Sequence, residues 1–213
     1  MVYFIGAGPG DVDLITVKGR DILTKADVII YAGSLVAKEH MDYCKEGALI
    51  YNSAKMTLEE VIVRLHTGDP SIYGAIKEQM DELDKLNIKY KVVPGVSSFV
   101  AAASAIKKEF TLPSVTQTVI LTRIEGRTPV PKTEDLERLA QVGASMAIFL
   151  SISMIDKVVA KLRSGYGRNV PVAVVERATW DNERCIIGTI DCDYDKSLLY
   201  DKNFTHMFRE AKE

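Results

Sequence analysis

The sequence predicts an α/β protein built from two domains. Short apolar runs typical of strands alternate with helical patterns along most of its 213 residues. Two glycine-rich turns follow directly on such runs, as loops do at the carboxyl edge of an open parallel sheet. The alternation is interrupted once, at Leu112 and Pro113. We therefore expect α/β domains over residues 1–112 and 113–213, with a cleft for a small molecule between them.

The first predicted domain alternates strands and helices from its first residues. Its expected strands are Val2 to Gly6, Val28 to Tyr31, Leu49 to Tyr51, Val61 to Leu65 and Tyr90 to Val93. Its expected helices run from Thr16 to Lys25, from a capping box of Thr57 and Glu60, from Ser71 to Leu86, and through the alanines after Ser98.

The second predicted domain repeats this alternation after the interruption. Its expected strands are Thr118 to Thr122, Met146 to Leu150, Val172 to Glu176 and a run ending near Thr189. Its expected helices are Glu134 to Gln141 and Ile155 to Arg163, and a polar loop spans Arg123 to Thr133.

The composition is that of an ordinary globular protein, with 47% hydrophobic and 26% charged residues. A net charge of -2 argues against general affinity for nucleic acid or for an anionic membrane. No apolar stretch reaches the roughly 20 residues of a membrane span, and the opening run is too short for a signal peptide. We expect a cytoplasmic protein.

The cysteines and histidines predict neither disulfides nor a protein-bound metal. Cys44, Cys185 and Cys192 form no Cys-x-x-Cys pair, and an odd, scattered set is typical of reduced thiols. The histidines lie apart from one another and from the cysteines, so no ligand set is visible.

The two glycine-rich turns, Gly6 to Asp11 and Thr67 to Gly74, carry the clearest functional signal. Glycines let the backbone approach a ligand closely. The first turn departs from the dinucleotide fingerprint because Asp11 occupies the third glycine position and Pro9 has no amide hydrogen for an anion. With a carboxylate in each turn, the pattern favours a polar, partly cationic small molecule over a phosphate.

These turns, taken with three further stretches, resemble the tetrapyrrole methylase family, which takes methyl groups from S-adenosylmethionine. The further stretches are Leu14 to Gly19 with Ala26 to Ile29, Val93 to Gly95 with Ser97 and Ser98, and Ile148 to Leu150. Tyr31 to Val36, Thr122 to Pro131 and the tail Leu199 to Arg209 resemble the branch that methylates carbon 11 of precorrin-4 on the route to cobalamin.

The resemblance implies a tetrapyrrole methylase fold, a homodimer and a cofactor bound between the domains. The cofactor positions it implies are Pro9, Thr67, Gly68, Asp69, Ile72, Ser97, Ser98, Leu150 and Ala178. Arg123 and Arg127 are candidates for the carboxylates of the macrocycle, because guanidinium groups bind carboxylates through a fixed fork. Tyr31 and Ser34 are candidates for contacts with the ring, and Glu125 is a candidate for bracing the loop or managing a proton.

Each of these residues also has a structural interpretation. Ile72 and Leu150 could be core residues, Asp69 a turn carboxylate, and the two arginines part of a solvated loop. A structural role is favoured for His66 over that of a base. Because the nucleophile is a carbon of the macrocycle, we expect positioning rather than a Ser, Cys or His nucleophile.

Rival functions stay open at this point. The family includes enzymes acting on uroporphyrinogen III or another precorrin, and relatives that modify a protein residue or ribosomal RNA. A non-catalytic protein that binds a nucleotide or cofactor is the alternative of another class, whereas a nucleotide-dependent oxidoreductase is disfavoured by Pro9 and Asp11.

Two junctions are unusually short for this family. The helix begun at Thr57 runs into Val61 without a turn, and the strand ending near Ile190 reaches the tail through Asp191 to Asp195. We expect that segments carried by the family, part of a helix at the first junction and a helix with a strand at the second, are missing here. An intact mass of 23.6 kDa for the purified protein would rule this out.

Overall fold

A computed structural model describes residues 1–53, 63–191 and 204–208. The chain divides into two compact units, Met1–Ala101 and Ala102–Glu213. This division falls inside the helix Ser98–Ala105, before the interruption at Leu112 and Pro113 that marks the predicted boundary. The assignment of domains to 1–112 and 113–213 stays a prediction.

The first unit contains a parallel sheet of five strands with helices along the chain between them. The strands are β1 (Val2–Gly6), β2 (Val28–Tyr31), β3 (Leu49–Asn52), β4 (Val63–His66) and β5 (Tyr90–Val93). The helices are α1 (Val17–Leu23), α2 (Lys77–Lys85) and α3 (Ser98–Ala105). The sheet order is β3-β2-β4-β1-β5, and every pairing is parallel.

The core of this unit lies on both faces of β1. Ile5 packs on one face with Leu23, Ile29 and Leu65, while Phe4 packs on the other in the cluster that contains Leu83. A parallel strand covered on both sides reads as a continuous apolar run, which is why this strand is predictable from its sequence. The predicted start of α1 is confirmed, because the Thr16 hydroxyl accepts a hydrogen bond from the Gly19 amide at 3.1 Å.

The predicted helix from Ser71 is wrong over its first turns, since α2 begins at Lys77. Tyr73 and Ala75 have φ angles of +54° and +49°, which a right-handed helix does not allow. A Cβ atom on Gly74 would lie 2.0 Å from the Pro70 carbonyl oxygen, so the chain folds back on itself here. Residues 67–76 therefore form a loop rather than a helix. The capping box at Thr57 and Glu60 lies outside the described residues.

Beyond the end of α3, the described residues of the second unit form two small sheets and two α-helices. A parallel pair is formed by β6 (Val119–Arg123) and β7 (Ser145–Phe149), and an antiparallel sheet of order β10-β8-β9 by β8 (Pro171–Glu176), β9 (Arg184–Thr189) and β10 (Phe204–Phe208). The helices are α4 (Leu136–Gln141) and α5 (Ile155–Tyr166). Leu136, Met146, Val158 and Val172 belong to one buried apolar cluster. Cys192 lies outside the described residues, as does the second short junction beyond Asp191.

Across the part of the chain that the structure describes, no helix has the length and apolar character needed to cross a membrane.

Candidate functional site

Three loops of the first unit meet at the carboxyl edge of its sheet, because β4, β1 and β5 are neighbours. The Gly68 amide donates to the Gly8 carbonyl at 2.8 Å, and the Ala7 amide donates to the His66 carbonyl at 2.7 Å. A Cβ atom on Gly95 would lie only 2.2 Å from the Gly68 carbonyl oxygen. The two glycine turns singled out in the sequence thus join a third loop, and backbone contacts that exclude any side chain hold this junction together.

Asp69 ties two of these loops together. One carboxylate oxygen accepts from the Ser71 amide at 2.7 Å within its own turn, and the other accepts from the Gly95 amide at 2.9 Å. Asp11, in the first turn, accepts from the Asp13 amide at 2.9 Å. Both carboxylates of the glycine turns therefore bind backbone amides and shape the loops.

Thr67 links the junction to the loop after β2. Its hydroxyl donates to the Leu35 carbonyl at 2.6 Å, and Leu35 ends the 3-10 turn Gly33–Leu35 that contains Ser34. Tyr31, at the end of β2, is half-buried and packs against the core cluster of this unit. The cofactor candidate Thr67 thus lies beside the loop that contains Ser34, and Tyr31 ends the strand that leads into this loop.

The remaining candidates of the first unit line the same junction. Ser97 is buried, and its Cα lies 3.5 Å from the place a Cβ atom on Gly68 would take. Ser98 is the first residue of α3. Ile72 is half-buried and donates its amide to the Asp69 carbonyl at 3.2 Å, and Pro9 is buried in the first turn.

Leu150 and Ala178 belong to the second unit. Leu150 itself has left-handed backbone, and so do both neighbours of Ala178. Leu150 follows the wholly buried β7 yet is 58% exposed, with a φ angle of +52°. Ala178 is buried between Arg177 and Thr179, whose φ angles are +49° and +72°. Residues held in this region cost about 1–3 kcal/mol each and cluster at functional sites. The exposure of Leu150 argues against a plain core role.

The loop after β6 is shaped by its own arginine. One guanidinium nitrogen of Arg123 (Nη2) donates to the Thr128 carbonyl at 2.8 Å, and the Gly126 amide donates to the same oxygen at 3.4 Å. The Ile124 amide donates to the buried Ser151 hydroxyl at 2.9 Å, which fastens this loop to the one after β7. Glu125 and Arg127 are exposed on the loop. Arg123 thus has a bracing role that the sequence did not predict.

His66 is a buried, neutral histidine. Burial and the positive charge of Arg64 lower its pKa to about 4, against a smaller opposing effect of Asp69. Its ring centroid lies 5.9 Å from that of Phe4, and its Nε2 atom has no hydrogen-bond partner among the described residues. A charge change at physiological pH is therefore unfavourable, which agrees with the structural role expected for this residue.

Two residues at the junction were not assigned a role from the sequence. Gly95 was noted only as part of a matching stretch, although its missing side chain allows the closest approach between loops. His40 is buried, with Nε2 at 2.9 Å from the Ala7 carbonyl oxygen and Nδ1 at 3.0 Å from that of Ala37. No local pattern connects residue 40 to residue 7, so this support of the first turn becomes visible only in the fold.

No group of three histidine, cysteine, aspartate or glutamate side chains in the described segments is placed to hold a metal ion.

The fold and the junction define a class: small-molecule-binding α/β proteins whose glycine loops lack a phosphate-binding fingerprint. Within it, the chain belongs to the family described as Tetrapyrrole (Corrin/Porphyrin) Methylases, which matches residues 1–192. The resemblance found in the sequence is thereby confirmed.

Relatives match the chain over nearly its whole length. A cobalt-precorrin-4 C(11)-methyltransferase of Methanocaldococcus jannaschii is 49% identical, with 99% of this chain and 96% of the relative covered. A protein of the same name from Priestia megaterium is 42% identical over 99% of this chain and 98% of its own. The X-ray structure of a cobalt precorrin-4 methyltransferase, described as a cobalamin biosynthetic enzyme, superposes with a TM-score of 0.90 at 43% identity, covering 97% of this chain and 93% of that one.

The same matches bear on the two short junctions. The alignment with the Methanocaldococcus jannaschii relative runs over 249 residues, whereas this chain has 213. The relative therefore carries residues without a counterpart here, and their placement at the two short junctions stays a prediction.

Proposed function

We propose that the chain is an S-adenosylmethionine-dependent methyltransferase that methylates carbon 11 of cobalt-precorrin-4 in cobalamin biosynthesis. The observation that carries the proposal is the junction of three glycine loops in a chain 49% identical to an enzyme of that name. A cytoplasmic homodimer with domains near 1–112 and 113–213 is part of the proposal.

The cofactor fits the backbone character of the junction. The glycines at 6 and 95 let the three loops pack backbone against backbone, and this packing gives a bound cofactor a surface of fixed shape. Pro9, Thr67, Gly68, Ser97 and Ser98 are the residues proposed to hold it, and Asp69 is proposed to act by fixing the loops. Ile72, Leu150 and Ala178 are proposed for its apolar surfaces.

The chemistry asks the protein for alignment rather than for a nucleophile. S-adenosylmethionine supplies, when bound, a methyl group on a sulfonium with a good neutral leaving group. Holding two reactants in line can lower a barrier by roughly 7–11 kcal/mol. Burial, helped by neighbouring Asp42 and Glu183 respectively, raises the pKa of the Cys44 and Cys185 thiols, so neither thiol is activated. Together with the neutral His66, this supports a positioning mechanism.

The macrocycle carries carboxylates, and the proposed contacts are chosen for that chemistry. Arg127 is exposed with its guanidinium available, and Arg123 keeps further N–H groups beyond the one bound to Thr128. Tyr31 and Ser34 are proposed to line the ring, and Glu125 to brace the loop or take part in proton handling.

The mass of the tetrapyrrole tests the proposal directly. The purified chain is incubated without oxygen with S-adenosylmethionine and, in parallel, with cobalt-precorrin-4, metal-free precorrin-4 and uroporphyrinogen III. A gain of one methyl group on cobalt-precorrin-4 is expected. A gain on uroporphyrinogen III alone would keep the family and overturn the substrate, and a gain on metal-free precorrin-4 alone would overturn the requirement for cobalt.

A further inference from the structure

A small cleft lies beside the loop after β6, wholly within the second unit. Its volume is about 250 Å³, below the roughly 300–1,000 Å³ typical of sites that enclose a drug-sized ligand. A whole macrocycle does not fit such a volume, whereas one carboxylate-bearing side arm does. Its charged lining consists of Arg123, Glu125, Lys132, Glu134, Lys157 and Lys161, with Asp135.

Some of these charges are already paired. Lys161 forms an ion pair with Asp135, and this hydrogen bond lowers the pKa of the Asp135 carboxyl. Arg123 donates one of its N–H groups to Thr128. The ammonium groups of Lys132 and Lys157 have no ion pair or hydrogen bond among the described residues. The cleft thus holds two uncommitted ammonium groups and a partly committed guanidinium against the exposed Glu125 and Glu134.

Lys157 stands at an unfavourable place in its helix. It is in the first turn of α5 (Ile155–Tyr166), where the helix dipole is positive and a cation is destabilising. Lys161 follows four residues later on the same side of the helix and also lines the cleft. The neighbouring Asp156 supplies the favourable charge of this turn, whereas Lys157 itself has no ion-pair partner among the described residues. An anion in the cleft would supply that partner and would also interact with the positive end of α5.

We propose that this cleft binds a carboxylate side arm of the tetrapyrrole, with Lys157 as the principal contact and Lys132 and Arg123 beside it. The proposal rests on the proposed function, because it assumes a polycarboxylate macrocycle as substrate. It adds a specificity determinant on α5 to the two loop arginines. A charge-assisted hydrogen bond is the interaction expected between the ammonium and the carboxylate.

Lys157→Gln tests the proposal in the steady-state kinetics of the full chain with cobalt-precorrin-4 and S-adenosylmethionine. We expect the KM for cobalt-precorrin-4 to rise about fivefold, with kcat and the cofactor affinity measured by calorimetry unchanged. The Tm should stay level or rise, because a cation is removed from the positive end of a helix. Lys157→Arg should recover most of the affinity.

Arg168→Gln is the matched control, since Arg168 is an exposed cation just past the far end of α5 and is remote from the cleft lining. The proposal is overturned if both variants raise the KM equally, or if Lys157→Gln changes neither KM nor its dependence on salt. Failure of the wild-type chain to methylate any tetrapyrrole is a separate result that overturns the proposed function itself. A loss confined to cofactor affinity would assign Lys157 to a different ligand and overturn the side-arm site.

Discussion

The two units build their candidate sites from different materials. In the first unit, glycine backbone from three loops is packed so closely that neither Gly6 nor Gly95 has room for a side chain. In the second unit, charged side chains on a loop and a helix surround a small cleft. The backbone packing in the first unit fixes the shape of its site. In the second unit the charges are carried by long side chains that can change rotamer.

This difference indicates how each part responds to change. A backbone junction fails when one atom is added, because neighbouring backbone cannot move aside. A side-chain cleft responds gradually, since each exposed ion pair contributes only about 0.2–1 kcal/mol. We therefore expect the first arrangement to suit a cofactor of constant shape and the second to distinguish among carboxylated substrates.

Gly95→Ala should have the largest effect. The new Cβ atom would lie 2.2 Å from the Gly68 carbonyl oxygen, and we expect a loss of about 3 kcal/mol in the free energy of unfolding together with loss of cofactor binding. Denaturant titration and calorimetry measure the two effects. Gly126→Ala in the second unit is the control, because its Cβ atom would meet only the Met154 methyl at 3.4 Å. Equal losses in both variants would remove the contrast between the units.

Acid should weaken the first unit before the second. The pKa of His66 is lowered to about 4 in the fold, below the ordinary 6.5, so its stabilising contribution is complete above pH 6.5. As the pH falls from 6.5 towards 4, the unfolded chain binds a proton at His66 more readily than the folded chain does. The free energy of unfolding therefore falls by up to about 3 kcal/mol. Hydrogen exchange should show β4 and β1 losing protection before β7. His66→Leu should flatten this pH dependence, and an unchanged slope would contradict the assignment.

Asp69→Asn should weaken the junction moderately. An amide retains one acceptor oxygen, so either the Ser71 or the Gly95 amide loses its partner, at a cost of about 1–3 kcal/mol. We expect cofactor affinity measured by calorimetry to fall about tenfold or more. Asp11→Asn is the comparison within the first turn, where the acceptor for the Asp13 amide can be kept. Unaltered cofactor affinity in Asp69→Asn would contradict the proposal that Asp69 holds the loops in place for the cofactor.

Arg127→Ala should have the smallest effect, confined to the substrate. Because the guanidinium is exposed, a loss of up to about 1 kcal/mol is expected, seen as a KM for the macrocycle raised about fivefold at unchanged cofactor affinity. Arg168→Ala controls for the general loss of positive charge. Identical KM values for the two variants would remove Arg127 from the substrate contacts.

The sequence predicts the parts of the fold that depend on local pattern. The strands β1 and β2 follow from apolar runs, and the start of α1 near Thr16 follows from a helical pattern after a polar turn. The loop 67–76 does not follow, because no local pattern indicates the left-handed backbone of Tyr73 and Ala75 or the close approach of Gly74 to Pro70. The direction of β8, β9 and β10 likewise depends on pairing between distant segments.

Some residues of the candidate site are likewise predictable from local sequence, and others only from the fold. Thr67, Gly68 and Asp69 are predictable because they lie in an uncommon glycine-rich turn. The contact between His40 and the Ala7 carbonyl is not predictable, because the two residues are far apart in the chain. Lys157 gives a local signal, a cation in the first turn of a helix, but the signal gains meaning only once the cleft is seen.

The chain carries a single tryptophan, Trp180, and its position gives the protein a built-in optical reporter. The centre of the indole ring lies 5.7 Å from the guanidinium carbon of Arg177. Trp180 itself is two residues along the chain from the cofactor candidate Ala178. Its emission therefore comes from one known place, without labelling and without a second indole to separate. Titration with S-adenosylhomocysteine should change this emission if Ala178 contacts the ligand, while leaving the absorbance of the macrocycle free to report on the other substrate.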